Sequence, residues 1–249
     1  MTDGGVTGKL GLGVLVRLIV RTYRAHAGFL VVAALIVVIP AALLDVLSGH
    51  LAEAASDVSD DSDDLMRVVT AAVAGTVLFF GASVGHQLYT GLISSTVAAA
   101  RAGRSRPTLA QVVPGLPILA LVGAEIIYSL GVGLGFLLLV LPGVLFATWY
   151  ALVAPVLEIE RLPLRAAFAR SRELVRGHFW VVLTVVALFS VAGQALAAGL
   201  EELVAGDSLL GEWLAAILGD VVAIPLLGVA IATLALELSA LKGPASRPD

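Results

Sequence analysis

The sequence contains no cysteine, and only 14% of its residues are charged. The missing thiols exclude disulfides, cysteine-type zinc sites, iron–sulfur clusters and thiol nucleophiles together. They carry no information about redox compartment, because a chain without thiols is indifferent to it. Soluble domains carry about 25% charged residues, so this chain has too few to clothe a water-facing surface. What is present is apolar: 59% of the 249 residues are hydrophobic and the mean hydropathy is +1.01. These values exclude a disordered, collagen-like or nucleic-acid-binding chain. They predict an all-α polytopic membrane protein, with residues 1–249 forming a single integral membrane domain.

A membrane-spanning helix needs about 20 mostly apolar residues. Six segments meet or approach this length, at about 28–47, 66–90, 115–141, 143–158, 178–200 and 209–240. Only Pro142 and Gly143 separate the short fourth segment from the third, and that pair predicts a tight hairpin turn.

Lys and Arg in short loops stay on the cytoplasmic side. The N-terminal segment holds Lys9, Arg17, Arg21 and Arg24, and the second connection Arg101, Arg104 and Arg106. The fourth connection holds Arg161, Arg165, Arg170, Arg172 and Arg176, and the tail Lys242 and Arg247. Of all the basic residues only Arg67 falls on the other side. The first connection is acidic instead, with Glu53, Asp57, Asp60, Asp61, Asp63 and Asp64, and the fifth has Glu201, Glu202 and Asp207. This alternation requires six spans with both termini cytoplasmic, in the cell (inner) membrane of a bacterium. The net charge of −4 therefore averages a basic face with an acidic one. A cleavable leader is not expected, because the apolar stretch after Arg24 is of span length.

Two segments predict cytoplasmic amphipathic helices. Arg17, Arg21 and Arg24 follow an i, i+4, i+7 spacing, the pattern of a helix lying in the headgroup plane. From Pro163 to Gly177, one stripe is Leu164, Phe168, Ser171 and Val175, and another is Arg165, Ala169, Arg172 and Arg176. Pro163 opens that helix and Gly177 closes it, while Arg170 and Glu173 stand at pairing distance. Arg17, Arg21, Arg24, Arg165, Arg172 and Arg176 are thus candidate contacts for anionic lipid phosphates of the cytoplasmic leaflet. The plainer reading is that they fix topology and anchor the chain.

Residues 138 to about 182 contain the Leu-Pro142-Gly143 turn, Trp149 in the next span, Glu158 and Glu160 at its end, and Arg170-Ser171 leading to Leu174-Val175-Arg176-Gly177. This pattern resembles a bacterial family of integral membrane proteins related to the membrane domain fused to some glycerophosphoryl diester phosphodiesterases. The motif residues of that resemblance are Pro142, Gly143, Trp149, Glu160, Arg170 and Ser171. The sequence departs from the pattern at Thr148, where an Arg often stands, and at Arg161, where a small residue usually follows the acid. The spans consume the chain, so the hydrolase activity of the fused proteins does not carry over. The resemblance implies an integral membrane protein.

An ionisable group inside the bilayer is a functional candidate by default. At 1.5 Å per residue, Glu125 lies roughly 15 Å into the third span, and Asp220 roughly 10–16 Å from the outer face in the sixth. With His86 in the second span they form a candidate proton or cation relay; the plainer alternative is carboxyls hydrogen-bonded to a neighbouring helix. Asp45, Glu158 and Glu237 sit near helix ends, within reach of water or Lys242. Gly131 and Gly135 have the spacing of a close helix contact. No metalloprotease, nucleophile-elbow, P-loop or dinucleotide motif occurs, and the four histidines lack metal-ligand spacing. The expectation is a noncatalytic protein without metal or cofactor, contacting lipids or assembling with a membrane-protein partner. The alternative is a small transporter or channel using Glu125 and Asp220.

Overall fold

The computed structural model describes residues 11–56, 69–71, 73–75, 89–105, 108, 111, 113–115, 117–204 and 208–243. Among the described residues, the longer continuous helices are α1 (Leu12–Ser56), α2 (residues 89–101), α3 (Ile118–Leu138), α4 (Val140–Tyr150), α5 (Val153–Ile159), α6 (Leu164–Val175), α7 (Phe179–Val204) and α8 (Leu209–Lys242), and residues 69–71 and 73–75 are helical too. A short 3-10 turn, Val113–Gly115, precedes α3, and the described residues contain no strand. Among the described residues, five stretches are long and apolar enough to cross a membrane: Leu12–Leu51, Ile118–Leu138, Val140–Ile159, Phe179–Val204 and Leu209–Lys242. Most of the expected second span, 66–90, lies outside the described residues, and His86 with it.

The exterior confirms an apolar solvent. Leu119 is 90% exposed and Leu137 80%, which a water-facing surface does not tolerate in quantity. The interior is built around α8, which packs most extensively against α7 and α1. From Gly228 to Leu238 eight of the eleven α8 residues are buried. On α7, a Cβ added at Gly193 would lie 3.3 Å from Ala223 Cα of α8, so glycine permits that close approach. Gly228 plays the same part toward Ile93 of α2.

α1 differs from the expected surface helix followed by a separate span. It is one helix of 45 residues, about 68 Å long at 1.5 Å per residue, more than twice the hydrocarbon thickness. Between Arg24 and Phe29 the sequence offers Ala25, His26, Ala27 and a single Gly28, which is too little to stop a helix. Leu15 and Ile19 are buried against protein, while Arg17, Arg21 and Arg24 stay exposed.

The predicted turn at Pro142-Gly143 also shifts. The chain reverses at Leu139, the one extended residue between α3 and α4 (φ −167°, ψ 148°). Pro142 then occupies the first turn of α4, where its missing N–H costs nothing. Gly143 explains the tightness of the hairpin. A Cβ on Gly135 would lie 2.6 Å from Gly143 Cα, and one on Gly131 would enter the Phe146 ring. The fourth span is broken after Tyr150, at Ala151 and Leu152, before α5 resumes. Pro155 accounts for the break, since it offers no N–H to the Ala151 carbonyl.

α6 has the predicted limits. Pro163 precedes it and Gly177, at φ +88°, ends it. α2 ends in a Schellman motif: Arg104 N–H reaches Ala99 O at 2.9 Å and Gly103 N–H reaches Ala100 O at 3.2 Å, with Gly103 left-handed.

Candidate functional site

α6 is fastened to the end of α8 by a buried guanidinium. Arg170, whose side chain is 3% exposed, donates from Nε to both Glu160 oxygens at 3.0 and 3.3 Å. Its Nη1 donates to Glu173 at 3.1 Å and its Nη2 to the Gly243 carbonyl. Ser239 of α8 donates to Glu160 at 2.7 Å. Lys242 closes the cluster by donating to the Glu173 and Arg176 carbonyls, the latter at 2.7 Å. Burial works against the Arg170 charge, but Glu173 and Glu160 outweigh it, and the guanidinium is held above its ordinary pKa. A buried cation survives here because two carboxylates and a helix-terminal carbonyl satisfy it.

Beside this cluster lies a groove of about 570 Å³ lined by Trp149, Ala169, Arg172, Glu173 and Arg176. The Arg172 guanidinium stands 4.7 Å from the centroid of the Trp149 ring, a cation–π arrangement. Ser171 Oγ donates to the Trp149 carbonyl at 2.8 Å and so fixes α6 on α4. Exposed Arg172 and Arg176 therefore share one concave site with an aromatic wall. Guanidinium groups present donors in a planar fork that matches phosphate oxygens, and the indole face suits the apolar part of an ester.

The candidates from the sequence thus divide. Arg172 and Arg176 line the groove, and Arg165 is exposed on α6 outside its lining. Arg17, Arg21 and Arg24 lie on α1; Arg17 Nε donates to Gly13 O of its own helix at 3.4 Å. Four motif residues, Trp149, Glu160, Arg170 and Ser171, meet at the α6 contact, whereas Pro142 and Gly143 shape the hairpin. Both departures from the motif have local explanations. Thr148 is buried and donates to Val144 O at 2.7 Å within its own helix. Arg161 is left-handed at φ +52°, a conformation that favours a residue without a side chain.

Glu125 accepts a hydrogen bond from Ser129, one turn on, at 3.1 Å. Asp220 is half-buried on α8, and His86 is outside the described residues. Glu237, expected to be reached by water or Lys242, pairs instead with Arg101 of α2. Glu158 is the larger correction. Both its carboxyl oxygens are buried without a hydrogen-bond partner, while Lys242 is engaged by α6 carbonyls. The sequence signal for this was Pro155, which breaks the span and makes residue 158 part of a separate short helix. No family model, curated protein or solved structure matches the chain.

Proposed function

We propose that this is a noncatalytic inner-membrane protein of six spans with both termini cytoplasmic, which binds anionic lipid headgroups at its cytoplasmic face. One observation carries the reading: Arg172 is held over Trp149 beside Arg176 in a single groove. A surface that merely fixed topology needs positive charge on one side, but it needs neither a concave shape nor an aromatic wall. Each cation near an anionic membrane contributes about 1 kcal/mol, so two in one groove amount to weak, selective retention of lipid. The exposed apolar faces of α3 and α4 offer area for assembly with a membrane-protein partner.

Membership of the family related to the membrane domain of glycerophosphoryl diester phosphodiesterases is part of the proposal. Its support is that Trp149, Glu160, Arg170 and Ser171 belong to one connected contact. The transport alternative lacks comparable support, since the Glu125 carboxyl has a donor within its own helix. The test is native mass spectrometry of the purified protein after exposure to mixed anionic and zwitterionic lipid. Anionic lipid should be retained by the parent and lost from Arg172→Gln/Arg176→Gln. Equal retention by both proteins would end the reading.

A further inference from the structure

The interior of the bundle holds an acid that the groove does not use. Glu158 sits at the end of the broken fourth span, with both oxygens closed off from the surface and unpartnered. An ionised carboxylate in that position is costly by several kcal/mol unless something neutralises it. α5 packs against α3, α6 and α8, and several charged groups of those elements are engaged elsewhere. Arg170 is saturated by Glu160, Glu173 and Gly243; Lys242 is held by two α6 carbonyls; Glu237 has Arg101. Glu125 of α3 takes its bond from Ser129. Arg165, Arg172 and Arg176 of α6 are exposed, and none of them bonds to the Glu158 carboxyl, whose oxygens have no partner.

One neutral oxygen lies beside it. The buried Ser94 hydroxyl of α2 approaches Glu158 without completing a hydrogen bond of good geometry. α2 and α8 run side by side from the Ile93–Gly228 contact to the Arg101–Glu237 pair. Between those contacts lie Thr96 on α2 and Thr233 on α8, each with a buried, unpartnered hydroxyl.

The geometry points to an intramembrane site for a monovalent cation, a proton or a sodium ion, with Glu158 as its anionic ligand and Ser94 as a neutral one. It is independent of the lipid groove: none of its residues lines that groove.

The test uses the full chain in nanodiscs, comparing melting in sodium chloride and choline chloride at equal ionic strength. The infrared carboxylic-acid C=O stretch is recorded at neutral pH in parallel. A sodium site predicts stabilisation by sodium over choline, abolished in Glu158→Gln and weakened about tenfold in apparent Kd by Ser94→Ala. A proton site predicts a C=O stretch in the parent that is missing from Glu158→Gln, with no preference for sodium. If Glu158→Gln does not accumulate, the parent decides through its sodium preference and C=O band, with Ser94→Ala shifting whichever is present. Identical melting in both salts, together with no acid C=O stretch in the parent, overturns the proposal.

Discussion

Arg170 and Glu160 are ten residues apart and meet through Nε and Oε2 at 3.0 Å, across the turn that leads from α5 into α6. The pair joins the end of a broken span to a surface helix, and Ser239 extends the link to α8. Removing one partner strands the other. Arg170→Ala is expected to cost about 3–5 kcal/mol, because it leaves buried carboxylate without its cation. Arg170→Lys should fall between, since an ammonium cannot serve Glu160, Glu173 and Gly243 in one planar fork. Thermal unfolding in detergent gives the comparison, and parent-like melting of Arg170→Ala would show the link to be idle.

The α3–α4 hairpin should be intolerant at one glycine and tolerant at its neighbour. Gly135→Ala drives a methyl into the Gly143 backbone, which cannot move aside as a side chain can. About 1–3 kcal/mol of destabilisation is expected from such overpacking. At Gly133 nothing lies within 4 Å, so Gly133→Ala should be neutral or slightly stabilising. The two melting temperatures measured side by side decide the matter, and equal values would mean that the hairpin is not closely packed.

Arg161 adopts a left-handed backbone that costs an L-residue about 1–2 kcal/mol. Arg161→Gly relieves that cost against a chain-entropy penalty of about 0.5–1 kcal/mol, leaving a small net gain. A modest rise in melting temperature is the expected result. A fall would mean that the guanidinium, which lies beside Gly115, contributes more than the backbone loses.

The absence of cysteine makes single-cysteine labelling direct. Under the proposed topology, an impermeant maleimide added to intact cells should label Glu202→Cys. Ser105→Cys, also exposed, should react only after permeabilisation. Labelling of both positions from the same side would remove the six-span arrangement.

What the sequence disclosed follows from what each signal encodes. Pro163 and Gly177 specify local backbone geometry, so the limits of α6 were readable. Gly131 and Gly135 mark a small-residue face, and the structure fills it with Phe146 and Gly143. Helical spacing also paired Arg170 with Glu173. It could not find Glu160, Ser239 or Gly243, because spacing along one helix says nothing about which loop or terminus lies beside it. The neighbour of Glu158 was hidden for the same reason: Ser94 belongs to α2, far away in the chain. The turn was placed at Pro142-Gly143 because those residues punctuate chains, yet proline at the start of a helix and glycine at a close contact have other uses.

The single extended residue at Leu139 has a consequence for how the protein sits in its solvent. Its N–H is satisfied by Gly135 O at 3.0 Å, so the reversal exposes little backbone. Every side chain from Leu137 to Leu141 faces outward and none is polar. This hairpin therefore ends in a greasy tip with no aqueous loop for a protease or antibody to grasp. α3, of 21 residues, is about 31 Å long, close to the thickness of the acyl layer. A bilayer of markedly shorter chains would leave five apolar side chains in water, making leaflet thickness the variable to which this end of the fold is matched.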